Sequence, residues 1–482
     1  MNFRSIYALR NFGLERISII TNLIHKQSYC SIILALILWK PVMMRPLLLA
    51  ILFSLICVLA QAQQPVAGQT AVTKWAYGKS GAVSLTYDDG SVNQFKYALP
   101  IMERLHLPAT FFVITGGIPG SKYHGRFIGR PVEAIIKESA TVPTSQQNFL
   151  ERCSAAGYLG YTGTITYHTK AAGFYDEGKI EQAFKTMDEL YKKVRNGDFK
   201  PGYQPCDEVL QEKGLTWDDL RLDAAKGYEI ASHSITHASM PGLDSVNIWY
   251  ELEKSKEEIR SQMGESYTFS AEVPYGYENA RVMKIAYKIY PALRNRMPEP
   301  WLKEIDRSSE QTPGTTDKDY IQWQRGATTK TPLPLMKSWV DTAVYKNNTW
   351  LVLVFHGVDG LGYEALPHTL LDTYFQYIKS NENKLWVAAF GDVARYMRER
   401  ENIKLADDIT GSKIVIRLRY TLNKSVYHLP LTFKTYVSPV WKRVQVQQGQ
   451  HIQLVKAAKD ERGTYILYQA RPDEATVILS AI

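Results

Sequence analysis

The sequence predicts an α/β fold, built on a parallel sheet or an α/β barrel, followed by a small all-β module of sandwich type. Two observations carry this. From about residue 70 to 400, short β-branched and aromatic runs alternate with segments of helical period. After about residue 403 the helical period disappears and short runs alternate apolar with polar residues.

In order, the run 82–87 reads as a strand ending in Asp88-Asp89-Gly90, followed by a helix through 101–105 and a strand over 109–114. A helix over 217–225, stopped by Gly227, leads into a short strand over 228–232. The span 244–263 has an Asp/Ser start, apolar Leu252, Ile259 and Met263, and Gly264 as its stop, which together define a helix. Further strands are expected over 267–273, 351–355 and 385–390. Between the second and third strands lies an insert, about residues 116–215, with one evident helix over 179–194. A connection of that length is usually functional or a small subdomain. In the C-terminal part, Ile414, Ile416, Leu418 and Tyr420 alternate with Val415, Arg417 and Arg419, and short strands follow to residue 479. The domain reading is therefore 1–62 targeting, 70–402 barrel and 403–482 β module.

The targeting reading rests on Met43-Met44-Arg45, the apolar run 47–60 and the small-x-small pattern Ala60-Gln61-Ala62, which predicts cleavage after Ala62. A second apolar stretch, 31–39, is too short to span a bilayer. Two readings stand: translation starts at Met43 or Met44, or residues 1–60 remain as an anchor, and a membrane partner is expected only in the second case. Export to the periplasm, the exterior or the envelope follows from either. The chain carries a net charge of +9 without a basic block, so a nucleic-acid partner is not expected. Hydrophobic residues at 45% and charged residues at 22% exclude bulk disorder. Cys153 and Cys206 remain after the leader, and in an oxidising compartment they are one candidate disulfide.

The chemistry-bearing residues fall at the carboxyl ends of expected strands. Asp88 and Asp89 follow the first, His233 closes the third, Pro274-Tyr275-Gly276 follows the fourth, and His356 closes 351–355. That face of an α/β barrel is where active sites are built. His233 and His237 are four residues apart; on one helical turn both imidazoles reach a single cation, and two His with one carboxylate is a recurring catalytic zinc set. Asp88-Asp89-Gly90 alone is turn chemistry, but beside the histidines one Asp completes the ligand set and the other serves as a base. His356 is the candidate acid for a departing amine.

Together, Thr86-Tyr87-Asp88-Asp89-Gly90, His233-Ser234-x-x-His237, Pro274-Tyr275-Gly276 and the strand ending at His356 resemble the motif series of the polysaccharide deacetylases, the NodB-homology group of carbohydrate esterase family 4. The resemblance covers about residues 80–400. It implies a distorted (β/α) barrel of the NodB type, with Asp88 as general base and Asp89, His233 and His237 as ligands of a divalent metal. Zinc is first in line, with cobalt, nickel or manganese as alternatives. It also implies the Tyr275 N–H as an oxyanion donor and His356 as general acid. The implied reaction is metal-assisted hydrolysis of acetyl groups on a glycan. N-acetyl sugars come first; an O-acetyl, acetylxylan-type polysaccharide or a catalytically weak glycan binder are the alternatives. One departure stands out: the position of the family's usual Arg is Glu272, whose charge, if unpaired, would raise the Asp88 pKa. Some exported relatives draw that cation from a following strand, which makes Arg294 the expected substitute, near Asp88 or Glu272. Trp323 is the candidate for the family's pocket tryptophan. The insert is expected to cap the site, with Tyr123, Phe127, Tyr158, Tyr161, Tyr167, His168, Phe174 and Tyr175 available to stack on sugars.

Overall fold

The computed structural model describes residues 67–202, 215–297, 304–306, 313, 320–410, 412–474 and 476–482. The leader and Cys206 lie outside the described residues. Among the described residues, no helix is long and apolar enough to cross a membrane.

The chain runs β1 (Thr70–Val72), β2 (Gly81–Tyr87), α1 (Leu99–Leu105) and β3 (Ala109–Val113), then enters the insert with α2 (Val132–Glu138), α3 (Phe149–Ala156), α4 (Thr164–Asp176) and α5 (Ile180–Asn196). It returns through α6 (Trp217–Ala225), β4 (Glu229–Ser232), α7 (Ser245–Met263), β5 (Ser270–Ala271), α8 (Ala280–Ile289), β6 (Ala292–Leu293), β7 (Glu304–Asp306) and β8 (Ile321–Gly326). Then come α9 (Leu333–Tyr345), β9 (Thr349–Phe355), α10 (His368–Ser380), β10 (Leu385–Val387) and α11 (Phe390–Asn402). The expected strand over 267–273 shrinks to β5 because Glu265–Tyr267 is a 3-10 turn and the chain turns again at Pro274. The strand expected over 385–390 stops early because Phe390 starts α11, its N–H donating to Thr110 Oγ1.

One parallel sheet carries the order β6-β5-β4-β3-β2-β9-β8-β7, with β10 beside β2. Every residue of β2 and β9 is buried, as in a sheet covered on both faces. Alternation sorts the side chains. Val83, Leu85, Phe111, Leu351 and Leu353 pack outward in one cluster with helix residues such as Met102, Trp339 and Phe375. Ala82, Phe112, Ala231, Ala292, Trp350 and Val352 form the inner cluster. The sheet curls into a barrel: Gln322 and Gln324 on β8 donate to the backbone oxygen of Arg294, just past β6, at 2.8 and 2.6 Å. These glutamines explain why β8 escapes an apolar-run reading of the sequence. They face the barrel interior, while Trp323, one residue out of phase, packs into the outer cluster against the helices. Trp323 is thus a core residue and not a pocket wall.

The C-terminal module is two sheets, β1-β13-β17-β16 and β11-β12-β18-β14-β15, built from β11 (Lys404–Thr410), β12 (Lys413–Arg419), β13 (Leu431–Tyr436), β14 (Arg443–Gln448), β15 (His451–Lys456), β16 (Ala458–Asp460), β17 (Gly463–Ala470) and β18 (Thr476–Ala481). Their alternating residues, among them Ile414, Ile416, Phe433, Val446, Ile466 and Leu479, share one core. β1 precedes the barrel in sequence yet pairs with β13, Thr70 opposite Thr435, so residues 70–72 belong to this module and not to the barrel.

Candidate active site

The first motif sits where β2 ends. Asp88 N–H donates to the Phe355 oxygen at 3.0 Å, which ties the end of β2 to the end of β9. Gln94 strengthens that tie by donating to the backbone oxygens of both Asp88 and His356, at 2.5 and 2.8 Å. Asp89 and Gly90 then take left-handed backbone, with φ of 73° and 74°, which swings the two carboxylates to different neighbours.

Asp88 faces Arg294. Nη1 reaches Oδ1 at 2.7 Å and Nη2 reaches Oδ2 at 2.5 Å, a two-pronged, charge-assisted contact. Nη1 also donates to Thr86 Oγ1 at 2.7 Å, and Nε lies 3.3 Å from Glu272 Oε2. Burial by itself pushes the Asp88 carboxyl up, but Arg294, helped by His233 and His356, outweighs it and holds the group well below the usual carboxylate range. Arg294 thus stands where the sequence placed the substitute cation, and Glu272 is not left unpaired beside Asp88. Arg294 stands between the two acids, and Asn295 Nδ2 donates to Glu272 Oε1 at 3.1 Å.

Asp89 faces the histidines, its Oδ1 lying 3.6 Å from His233 Nε2 and 3.3 Å from His237 Nε2. The pair is not on a helical turn. Residues 233–237 form a tight loop in which Ser234 and His237 adopt φ of 66° and 59°. The loop is held from two sides. Thr115 and Gly116 donate to the oxygens of Ser234 and Ile235 at 3.0 and 2.9 Å. Glu251, buried on α7, accepts the N–H groups of Ile235 and Thr236 at 3.1 and 2.9 Å.

Four of the eight described non-glycine residues with positive φ, Asp89, Ser234, His237 and Tyr275, lie at this one site, so backbone strain is concentrated there. Tyr275 occupies the turn Pro274–Gly276, whose flanks Asn295 fixes by accepting from Val273 N–H and donating to the oxygens of Val273 and Tyr277. Its ring lies 4.6 Å from that of His237 and is exposed. His356 Nε2 is 3.5 Å from Asp88 Oδ2, with the Tyr363 ring edge-on to it at 5.3 Å.

These groups surround a cavity of about 490 Å³ whose lining includes Asp88, Asp89, His233, His237, Tyr275, Arg294, His356 and Tyr363. All seven site residues expected from the sequence meet there. Trp323 does not, and neither does any of the insert aromatics. Phe127, Tyr161, Tyr167, Phe174 and Tyr175 pack in the insert's own core: Tyr175 stacks on Phe149 at 4.5 Å, Tyr167 packs edge-on against Phe199, and His168 is buried beside Cys153. Burial pushes the Cys153 thiol up, and it lies 3.6 Å from His168 Nδ1. The exposed rings at the pocket mouth come instead from Tyr275 and Tyr363.

The Asp89, His233 and His237 donor set fits a divalent cation. One atom from each lies within 4.8 Å of the others. His233 Nδ1 is 2.9 Å from the Glu272 backbone oxygen, which only accepts, so Nδ1 carries the proton and Nε2 keeps its lone pair toward Asp89. Burial pushes the His233 pKa down to about 3, so the ring is neutral, as a ligand must be.

Sequence reading missed Glu251, Asn295 and Gln94. For Glu251 a signal existed: on α7 it shares the buried face with apolar Ile248, Leu252 and Ile259, and a carboxylate on a buried face needs a partner.

Residues 77–154 and 165–289 match the polysaccharide deacetylase family model. The matched span contains Asp88, Asp89, His233, His237 and Tyr275, and ends before Arg294 and His356. Over this region the chain is similar to the polysaccharide deacetylase family. A gellan lyase from Bacillus sp is 25% identical over 284 residues, 53% of this chain, and the match covers only 11% of that protein's length. Similar solved structures include the Bc1960 peptidoglycan N-acetylglucosamine deacetylase (11% identity, TM-score 0.31, 68% of this chain and 90% of that one). Another is Agd3, a carbohydrate deacetylase (12% identity, TM-score 0.34, 85% of this chain and 67% of that one).

Proposed function

We propose that this protein is an exported, divalent-metal-dependent hydrolase that removes acetyl groups from a glycan, with N-acetyl sugars as the first-choice substrate. One observation carries the reading: two adjacent carboxylates have opposite surroundings, Asp88 clamped by Arg294 and Asp89 turned to two imidazoles. A structural Asp-Asp-Gly turn has no need of that division, whereas hydrolysis needs one carboxylate to hold a cation and one to take a proton.

Asp89, His233 and His237 would hold a divalent cation, zinc first, which when bound would supply Lewis-acid activation of water and of the acetyl carbonyl. Asp88 takes the water's proton; Arg294 keeps it ionised and fixes the direction of its oxygens. The Tyr275 N–H serves the oxyanion, its left-handed turn locked by Asn295. His356, across the cavity, gives a proton to the departing amine. Tyr275 and Tyr363 offer exposed faces on which sugar rings stack. Export rests on the 1–62 leader pattern.

The test is acetate release by the mature protein from chitooligosaccharides and from acetylxylan, beside its content of bound metal and that of His237→Ala. The expected result is metal-dependent release, fastest on the N-acetyl substrate, with metal and activity lost together in the variant. Faster release from acetylxylan moves the substrate to O-acetyl polysaccharide. A metal-free protein that binds glycan without releasing acetate overturns the enzymatic reading.

A further inference from the structure

The insert lines none of the described catalytic pocket, yet one of its side chains reaches the histidine loop. Tyr158, just after α3, donates its hydroxyl to Glu251 Oε1 at 3.1 Å and lies 3.4 Å from Thr236 Oγ1. The Glu251 carboxylate, 2% exposed, thereby accepts from four donors: Tyr158 and Thr236 hydroxyls on Oε1, and the Ile235 and Thr236 N–H groups on Oε2. Burial pushes the Glu251 pKa up and these contacts act against that. The loop it grips holds left-handed Ser234 and His237, a conformation that persists only where the surroundings over-determine it.

We propose that Tyr158 is a positioning residue for the metal site. It anchors Glu251, Glu251 fixes the backbone between the two histidines, and that backbone sets the distance from His237 Nε2 to Asp89. In this way the insert acts as a brace behind the ligand loop. A brace also accounts for the packing: Gly242, in the 3-10 turn Met240–Gly242 that follows the loop, sits so close to α4 and α3 that an added Cβ would lie 2.7 Å from Ala172 Cβ and 2.7 Å from Cys153 Sγ. A hydrogen bond from Asn279 Nδ2 to Asp176 Oδ1, at 2.8 Å, fastens the insert beyond the pocket's tyrosine turn as well.

The inference rests on Asp89, His233 and His237 being ligands, so its test reads cation binding. Metal-stripped full-length mature protein is titrated with Co²⁺, following the visible d–d absorption and competition with a chelator; unfolding of the metal-free proteins is measured in parallel. Groups behind metal ligands typically contribute about 10–100-fold to metal affinity. Tyr158→Phe is expected near the lower end of about 10–100-fold weaker Co²⁺ binding, and Glu251→Gln near the upper end, because an amide cannot accept from donors on both sides. Tyr175→Phe, which removes an insert hydroxyl bonded to Gln146, is expected to bind as the parent does. Tyr158→Phe with unchanged Co²⁺ affinity and spectrum overturns the brace, and so does an equal loss in Tyr175→Phe. If the parent protein binds no Co²⁺, the ligand reading itself fails, an outcome distinct from either.

Discussion

Replacing Arg294 by Met tests the electrostatic centre of the site. Methionine fills much of the space but has no donor, so Asp88 loses both prongs and Glu272 loses its neighbouring cation. Arg294, Asp88 and Glu272 are exposed by only 1%, 4% and 1%, so water cannot substitute. Removing one partner of a buried pair costs about 3–5 kcal/mol, and two stranded carboxylates place this change toward the upper end. The pH dependence follows from signs. In the parent, Asp88 titrates below its unfolded value of about 3.9, so its stabilisation is present above that pH and is lost as pH falls through the lower folded value. Without Arg294, burial dominates and raises the Asp88 pKa above the unfolded value. The destabilisation of the variant is then greatest at neutral pH and shrinks toward pH 4, where the acids protonate. Urea unfolding at both pH values measures the first effect. The acid limb of kcat/KM, which moves to higher pH in the variant, measures the second. A loss under about 1 kcal/mol at pH 7 with an unmoved acid limb would refute the assignment of Arg294 as the counter-charge of Asp88.

Asp88→Asn is expected to keep bound metal and lose turnover by about 10²–10⁴-fold, while Asp89→Asn loses metal; the opposite pattern in metal analysis exchanges their roles. Tyr363→Ala is expected to raise KM for oligosaccharides more than it lowers kcat, because the ring is 64% exposed at the pocket edge and touches His356 only edge-on. An unchanged KM removes Tyr363 from the binding surface. Trp323→Ala is expected to cost about 3–5 kcal/mol in denaturant unfolding with KM unaffected, since the ring is 4% exposed in the outer core. Raised KM at parental stability would return Trp323 to the pocket.

The sequence by itself determined the strands that are apolar throughout and the motifs at their ends. β2 and β9 are buried on both faces, so their runs announce themselves, and Asp88, Asp89, His233, Tyr275 and His356 follow from where such strands stop. It also determined the amphipathic α7 and the alternating C-terminal strands. Only the tertiary structure decided what depends on distant chain segments meeting. β8 carries glutamines whose partner, the Arg294 oxygen, arrives from beside β6. The histidine loop looks like a helical turn until Glu251 and residues 115–116 bond its backbone and hold it left-handed. The sequence offers Arg294 as the counter-charge for Asp88 and Glu272, but only the curl of the sheet sets it between them. Phe127, Tyr161, Tyr167, Phe174 and Tyr175 look like a sugar platform until α2 to α5 are seen to need them for a core of their own. Period and composition report which face of an element is buried; they say nothing about which far-off group meets it there.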